Sequence, residues 1–257
     1  MAERKKLPHE DMLTIYGRQA VKESLQHPDT RPYRLHLATS NKPSAQIDEI
    51  RRLAEDQGAE ICYHTRLALS RISRNGRQDQ GIAVDIVCPG FADYQSFKAP
   101  SEPFELLAVD RVTNPVNLGM IIRSVAASPM QGIIIPKRGC ARLDALVVKA
   151  SAGNLFRARI VTCQGLAECL THFRSVHGCL ITGLTASAGM TLPDLSHGQQ
   201  SRIFVLGNES EGLGESITEL CDEQVAIPMN HQVESLNVAV TASLVAFRSV
   251  FRPPTRL

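Results

Sequence analysis

The sequence predicts an α/β protein of two domains, a small one over residues 1–90 and a larger one over 104–257, joined by a linker at 91–103. Three observations carry that expectation. Strand-length apolar segments alternate with segments of helical period along the chain. Runs such as Ile133-Ile134-Ile135 fit strands covered on both faces of a mostly parallel sheet. Cys88 to Pro103 holds Pro89, Gly90, Pro100 and Pro103 without sustained periodicity, the composition of a connection between domains.

In chain order, residues 1–15, with Arg4, Lys5 and Lys6, are expected to form a mobile arm. The start, Met1 to Glu10, is charged and unlike a secretory signal. A helix is expected over Gly17–Gln26 and a strand over Tyr33–Ala38. Ile47, Ile50, Leu53 and Ala54 mark a second helix, closed at Gly58. A short strand (Ile61–Tyr63), a short helix (Thr65–Ser73) and a strand (Gly81–Val87) complete the first domain.

In the second domain strands are expected at Phe104–Val109, Gly132–Ile135, Arg159–Thr162, Cys179–Gly183, Arg202–Leu206 and Glu223–Ile227. Helices are expected at Leu118–Ala127, Leu143–Ser151, Leu166–Val176, Gly214–Cys221 and Ser235–Phe251. In the last of these, Ser235 offers a cap, and Leu236, Val240, Leu244, Phe247 and Phe251 form one apolar face. The opposite face is also apolar or small, so the helix is expected to be buried against its own domain or a partner subunit.

Composition narrows the function. A net charge of +2 does not announce a nucleic-acid binder, so any basic surface must be local. The seven cysteines form no C-x-x-C pair and the eight histidines no H-x-x-x-H cluster, so spacing indicates neither a metal site nor a disulfide framework. No apolar run reaches membrane-spanning length, and the protein is expected to be cytoplasmic. One local basic run stands out. Arg66, Arg71, Arg74 and Arg77 fall within a stretch free of Asp and Glu. Guanidinium groups suit phosphate, and a solvated surface has the same composition, so both readings stay open.

Chemistry is expected where open α/β sheets bind ligands, at the carboxyl ends of strands. Three such ends carry polar or glycine-rich turns: Asp110 to Gly119 with Arg123 in the helix beyond, Leu206 to Gly214, and Ile227 to Asn237. Asn117 is placed to cap the first of the helices that follow. The glycines at 207, 212 and 214 miss the G-x-G-x-x-G spacing, which counts against a dinucleotide-binding oxidoreductase. No nucleoside-triphosphate phosphate loop occurs, and without a G-x-S-x-G elbow Ser235 is a poor hydrolase nucleophile.

At these residues the sequence resembles the SpoU (TrmH-like) branch of the SPOUT RNA 2′-O-ribose methyltransferases. Three blocks carry the resemblance in order: Asn117-x-Gly119-x-x-x-Arg123, Leu206-Gly207-Asn208-Glu209-x-x-Gly212-Leu213, and Ile227-Pro228-Met229 through Ser235-Leu236-Asn237-Val238. Ala150-Ser151-Ala152-Gly153 is similar to a further family element, and Ile15-Tyr16-Gly17 opens a domain similar to the RNA-binding domain often fused to this one. Ser128-Pro129 replaces the usual Phe-Gly, and Asn114 a frequent Asp.

The resemblance implies a small α/β RNA-binding domain followed by a SPOUT domain with a C-terminal trefoil knot. It implies S-adenosyl-L-methionine as methyl donor, a ribose 2′-hydroxyl of rRNA or tRNA as acceptor, a homodimer, and no metal. The cofactor would lie at Leu184, Thr185, Gly207, Ile227, Met229 and Leu236. The chemistry would fall to Arg123 with Asn117, Glu209, Ser235 and Asn237 around it, and Glu209 would fix Arg123 or the knot loops. Arg66, Arg71, Arg74 and Arg77 would grip RNA. A non-catalytic RNA-binding assembly factor that keeps the knotted fold is the competing expectation.

Overall fold

The structure is a computed structural model that describes residues 12–28, 30–88, 91–195, 200–231 and 233–251. These form two compact units, one of residues through Phe91 together with Leu143–Lys149, the other of Ala92–Arg142 and Ala150 onward.

The first unit holds β1 (Met12–Tyr16), α1 (Arg18–Gln26), β2 (Arg31–Ala38), α2 (Ala45–Asp56), β3 (Glu60–His64), α3 (Arg66–Ser73) and β4 (Ile82–Val87). Its sheet is mixed, in the order β1-β4-β2-β3; β4 runs antiparallel to β1 and β2, and β3 runs parallel to β2. Ile15, Val21, Leu35, Ile50, Leu69 and Val84 are fully buried in its core. Ser44 and Thr65 cap α2 and α3 by accepting from the Ile47 and Ala68 amides. The expected arm is corrected here, because residues 12–16 are a sheet strand. Ile15 pairs with Val84 in register and is fully buried, so the apolar Leu13 and Ile15 gain more from pairing than from solvent. Arg4-Lys5-Lys6 lies outside the described residues.

The second sheet has eight strands: β5 (Phe91–Asp93), β6 (Glu105–Val109), β7 (Gly132–Pro136), β8 (Ile160–Cys163), β9 (Leu180–Leu184), β10 (Met190–Thr191), β11 (Arg202–Leu206) and β12 (Glu223–Ala226). Their order is β10-β12-β9-β11-β6-β7-β8-β5, and every pair from β10 to β8 is parallel. Helices α4 (Pro115–Ala126), α6 (Leu166–His177), α7 (Glu215–Thr218) and α8 (Val238–Ala246) connect or follow these strands, whereas α5 (Ala145–Ala150), between β7 and β8 in the chain, falls almost wholly in the first unit. The Ile133–Ile135 run is buried, as its continuous apolar character predicts.

Three expectations are corrected in this unit. The stretch 91–103 is not a free linker: its first residues form β5, and Tyr94 and Phe97 are buried in the core. The Phe97 ring stands 5.1 Å from that of Phe173 and 5.5 Å from that of Phe104, and burial of such large apolar rings outweighs the low periodicity of the stretch. Helix α4 starts at Pro115 and is capped by Asn114, whose side chain accepts from the Val116 amide at 2.9 Å. Asn117 therefore sits inside the first turn and is free for other work. Helix α8 is shorter than expected, and Asn237 caps it in place of Ser235, accepting from Ala239 N at 2.9 Å.

The face of α8 that is buried also differs from the expected apolar stripe. Val238, Ala239, Ala242, Val245 and Ala246 are buried, whereas Leu236, Val240, Leu244 and Phe251 are exposed. Small side chains let α8 approach α4 closely, and Ser243 Oγ lies 2.8 Å from Ser124 Oγ on that helix. Beyond α8, Arg248 pairs with Glu105 at the amino end of β6 and lies over the Phe204 ring, which fixes the end of this segment.

Candidate active site

The strand order creates the site. From β6 the chain builds outward through β7 and β8, then crosses to β9, and β11 returns to lie between β9 and β6. A crevice opens at the carboxyl ends of strands where the winding reverses in this way. The loops after β6 and β11 meet there. Asp110 N donates to Leu206 O at 2.8 Å, and the buried Asp110 carboxylate accepts from Gly214 N at 2.8 Å.

The loop after β11 is a closed turn. Asn208 and Gly212 exchange two backbone hydrogen bonds of 2.9 Å, and Asn208 Oδ1 accepts from the amides of Ser210 and Glu211. Asn208 Nδ2 donates to Arg111 O at 3.0 Å, while Arg111 donates to Gly212 O at 3.0 Å and pairs with Glu211 and Asp110. These carboxylates raise the Arg111 pKa, Asp110 contributing most. A side chain on Gly207 would collide with the Gly212 carbonyl, so the turn requires glycine there. The bracing by Asp110, Arg111 and Asn208 was not assigned from sequence. Its only linear signal is a cluster of polar residues at two strand ends.

Between the ends of β9, β11 and β12 and the start of α8 lies a cavity of about 360 Å³. Leu184, Thr185, Gly207, Ile227, Met229 and Leu236 all line it, as does Ser235. Sequence reasoning missed Glu234 and Thr241, which share the wall. The walls mix apolar side chains with backbone groups, the lining that a flat heterocycle with a few hydrogen-bonding edges requires.

Beside the cavity, the three polar stretches are joined by side-chain bonds. Asn237 Nδ2 donates to Asn117 Oδ1 at 3.1 Å, and Asn117 Nδ2 donates to Glu209 Oε1. Glu209 also lines the cavity. Its carboxylate therefore holds Asn117 rather than Arg123. Arg123 is exposed on α4, outside the cavity wall, and its side chain bonds no other described residue. In the first unit the arginine run divides. Arg71, Arg74 and Arg77 are exposed without an ion-pair partner among the described residues. Arg66 instead lies 3.4 Å from the fully buried Asp79 carboxylate, which also accepts from Ser73 Oγ and Gly81 N.

Fold and cavity together define a parallel α/β domain with a pocket at the carboxyl ends of β9, β11 and β12. Residues 105–247 match the SpoU rRNA Methylase family, and residues 14–87 match the family described as RNA 2′-O ribose methyltransferase substrate binding. A Mycobacterium tuberculosis protein named "uncharacterized tRNA/rRNA methyltransferase" is 34% identical over 237 residues, covering 90% of this chain and 72% of its own length. Among solved structures, the SpoU methyltransferase AviRb from Streptomyces viridochromogenes in complex with AdoMet superposes with a TM-score of 0.72 at 22% identity, covering 94% of this chain and 90% of that one. An AdoMet-bound rRNA methyltransferase from Sinorhizobium meliloti gives a TM-score of 0.69 at 19% identity, covering 95% and 89%. The chain belongs to the SpoU rRNA methylase family.

Proposed function

We propose that this protein is an S-adenosylmethionine-dependent RNA methyltransferase acting on a ribose 2′-hydroxyl, with ribosomal RNA the first substrate to test and transfer RNA the second. The observation that carries the reading is the cavity. Residues separated by more than fifty positions, Leu184 to Leu236, meet in one apolar, backbone-rich pocket whose rim holds the Asn237–Asn117–Glu209 chain. Its volume falls in the range of cofactor sites, roughly 300–1,000 Å³.

When bound, S-adenosylmethionine supplies an electrophilic methyl group. The chain's own task is to orient a weak nucleophile and exclude alternatives. The exposed Arg123 guanidinium acts as a clamp that holds an RNA phosphate and aligns the hydroxyl. Its exposure and its lack of a partner among the described residues support that role. The Asn237–Asn117–Glu209 chain fixes the rim, and Ser235 offers a hydroxyl beside the reacting ribose. We read the first unit as the RNA-binding domain and the segment from Ile227 through α8 as the knotted chain end. β12 lies outside β9, yet α8 returns to α4, a path that agrees with a knot.

A homodimer completes the reading. The exposed Leu236, Val240 and Leu244 form an apolar strip on and beside α8, the kind of surface that a twofold partner covers. No described helix is long and apolar enough to cross a membrane, and all seven cysteines are free thiols. Free thiols fit a reducing cytosol.

The test is calorimetric titration with S-adenosylmethionine, followed by methyl transfer to total RNA and nucleoside analysis for 2′-O-methyl products. Arg123→Ala is expected to keep cofactor binding and lose transfer. Wild-type turnover in that variant would remove Arg123 from the reaction.

A further inference from the structure

Three side chains of the first unit converge on one face of its sheet. β2 and β3 are parallel, with His36 opposite Cys62 in register, and His64 returns to the same face two residues on. His36 Nδ1 lies 2.9 Å from His64 Nε2, and the donor atoms of His36, Cys62 and His64 all lie within 4.8 Å of one another. His36 is buried, while Cys62 and His64 are half-buried on β3, the edge strand, so the cluster opens to solvent on one side. Behind it, His36 Nε2 is 3.0 Å from Asp85 Oδ2, and the other Asp85 oxygen accepts from Thr14 Oγ1 at 2.7 Å.

We propose that His36 Nδ1, His64 Nε2 and Cys62 Sγ bind a divalent cation of the zinc class, with Asp85 as the carboxylate that orients His36. The tautomer argument comes first. A carboxylate at His36 Nε2 keeps the proton on that nitrogen, which leaves the Nδ1 lone pair directed at His64. An imidazole whose far nitrogen donates to a carboxylate is the arrangement that steers metal-bound histidines. Distances come second. Zinc bonds of about 2.0–2.1 Å to nitrogen and 2.3 Å to sulfur set donor atoms roughly 3.3–3.6 Å apart in a tetrahedron. The two ring nitrogens are 2.9 Å apart and no pair of donor atoms exceeds 4.8 Å, limits that span that range.

Donor chemistry comes third. Two imidazoles and a thiolate select zinc or a similar transition metal over magnesium or calcium. The cysteine binds as its thiolate, so binding releases a proton and tightens as pH rises. The fourth position faces solvent and takes water. The ion would fasten edge strand β3 to β2.

The experiment uses the full chain, stripped with chelator and titrated with Co²⁺. One Co²⁺ per chain is expected, with thiolate-to-cobalt charge-transfer absorption in the near ultraviolet. Cys62→Ser should lose that band, and His64→Gln should weaken Co²⁺ binding by at least roughly tenfold. Zn²⁺ should displace Co²⁺ and raise the melting temperature of wild type but not of either variant. An unchanged far-ultraviolet circular dichroism spectrum of both metal-free variants serves as the check on folding. Failure to bind Co²⁺ overturns the proposal, leaving a hydrogen-bonded histidine pair; so does a charge-transfer band that persists in Cys62→Ser, which would place the ion on another cysteine.

Discussion

Asn237 donates to Asn117 at 3.1 Å across 120 residues of chain, so the cap of the last helix and the first turn of α4 share one amide. Asn117 passes the bond on to Glu209. An amide both donates and accepts, and here both ends are used, so an ionised carboxylate, which only accepts, cannot reproduce the pattern. Asn117→Ala should cost about 1–3 kcal/mol in chemical unfolding, because it leaves polar groups unmatched, and should depress methyl transfer. Asn117→Asp sets a second carboxylate against Glu209. Like charge raises one carboxyl pKa above its unfolded value, so the penalty is full at high pH and is relieved as pH falls through the raised value. Unfolding curves at about pH 5.5 and about pH 7.5 test the sign. A variant less stable at the lower pH, relative to wild type, would contradict it.

The turn after β11 makes a separate demand on Gly207. A Cβ there collides with the backbone of Gly212, and no flexible side chain can yield. Gly207→Ala should therefore open the Asn208–Gly212 turn and lower S-adenosylmethionine affinity more than tenfold. The accompanying loss of stability should be about 1–3 kcal/mol. Calorimetric titration beside thermal unfolding separates the two effects, and wild-type affinity would show that the turn does not shape the pocket.

The arginines of the first unit should separate by role. Changing Arg71, Arg74 and Arg77 together to Gln should flatten the salt dependence of RNA binding by roughly 2–3 units of log–log slope, at about 0.7–0.9 per phosphate contact. Arg66→Gln should appear in unfolding instead, because it leaves the buried Asp79 without its cation. Filter binding across a salt series decides, and an unchanged slope in the triple variant would make this a solvated face.

The exposed strip of α8 predicts assembly. Leu244 is 43% exposed, so Leu244→Glu should leave the fold intact while splitting a dimer. Sedimentation of wild type and variant at micromolar concentration provides the measurement. A wild-type monomer with full activity would rule out the interface.

The sequence by itself determined most of the elements and where their polar turns fall. Continuous β-branched runs such as Ile133 to Ile135 fit strands covered on both faces, and polar or glycine-rich turns are legible after them. Local patterning is enough for that, because period and turn chemistry are properties of neighbours in the chain. Tertiary structure decided what neighbours cannot encode. Both faces of α8 read as apolar, and only the close approach of α4 selected the small residues for burial. Asn114 and Asn237 took the caps expected of Asn117 and Ser235, which released Asn117 to bridge two loops. Tyr94 and Phe97 sit in an aperiodic stretch, yet rings of the distant helix α6 gave them a core. The His36–Cys62–His64 cluster has no linear spacing to read, since its members lie on two strands and meet only when β3 pairs with β2. Side chains far apart in sequence acquire a shared environment only through packing, and burial, protonation and ligand geometry are set there.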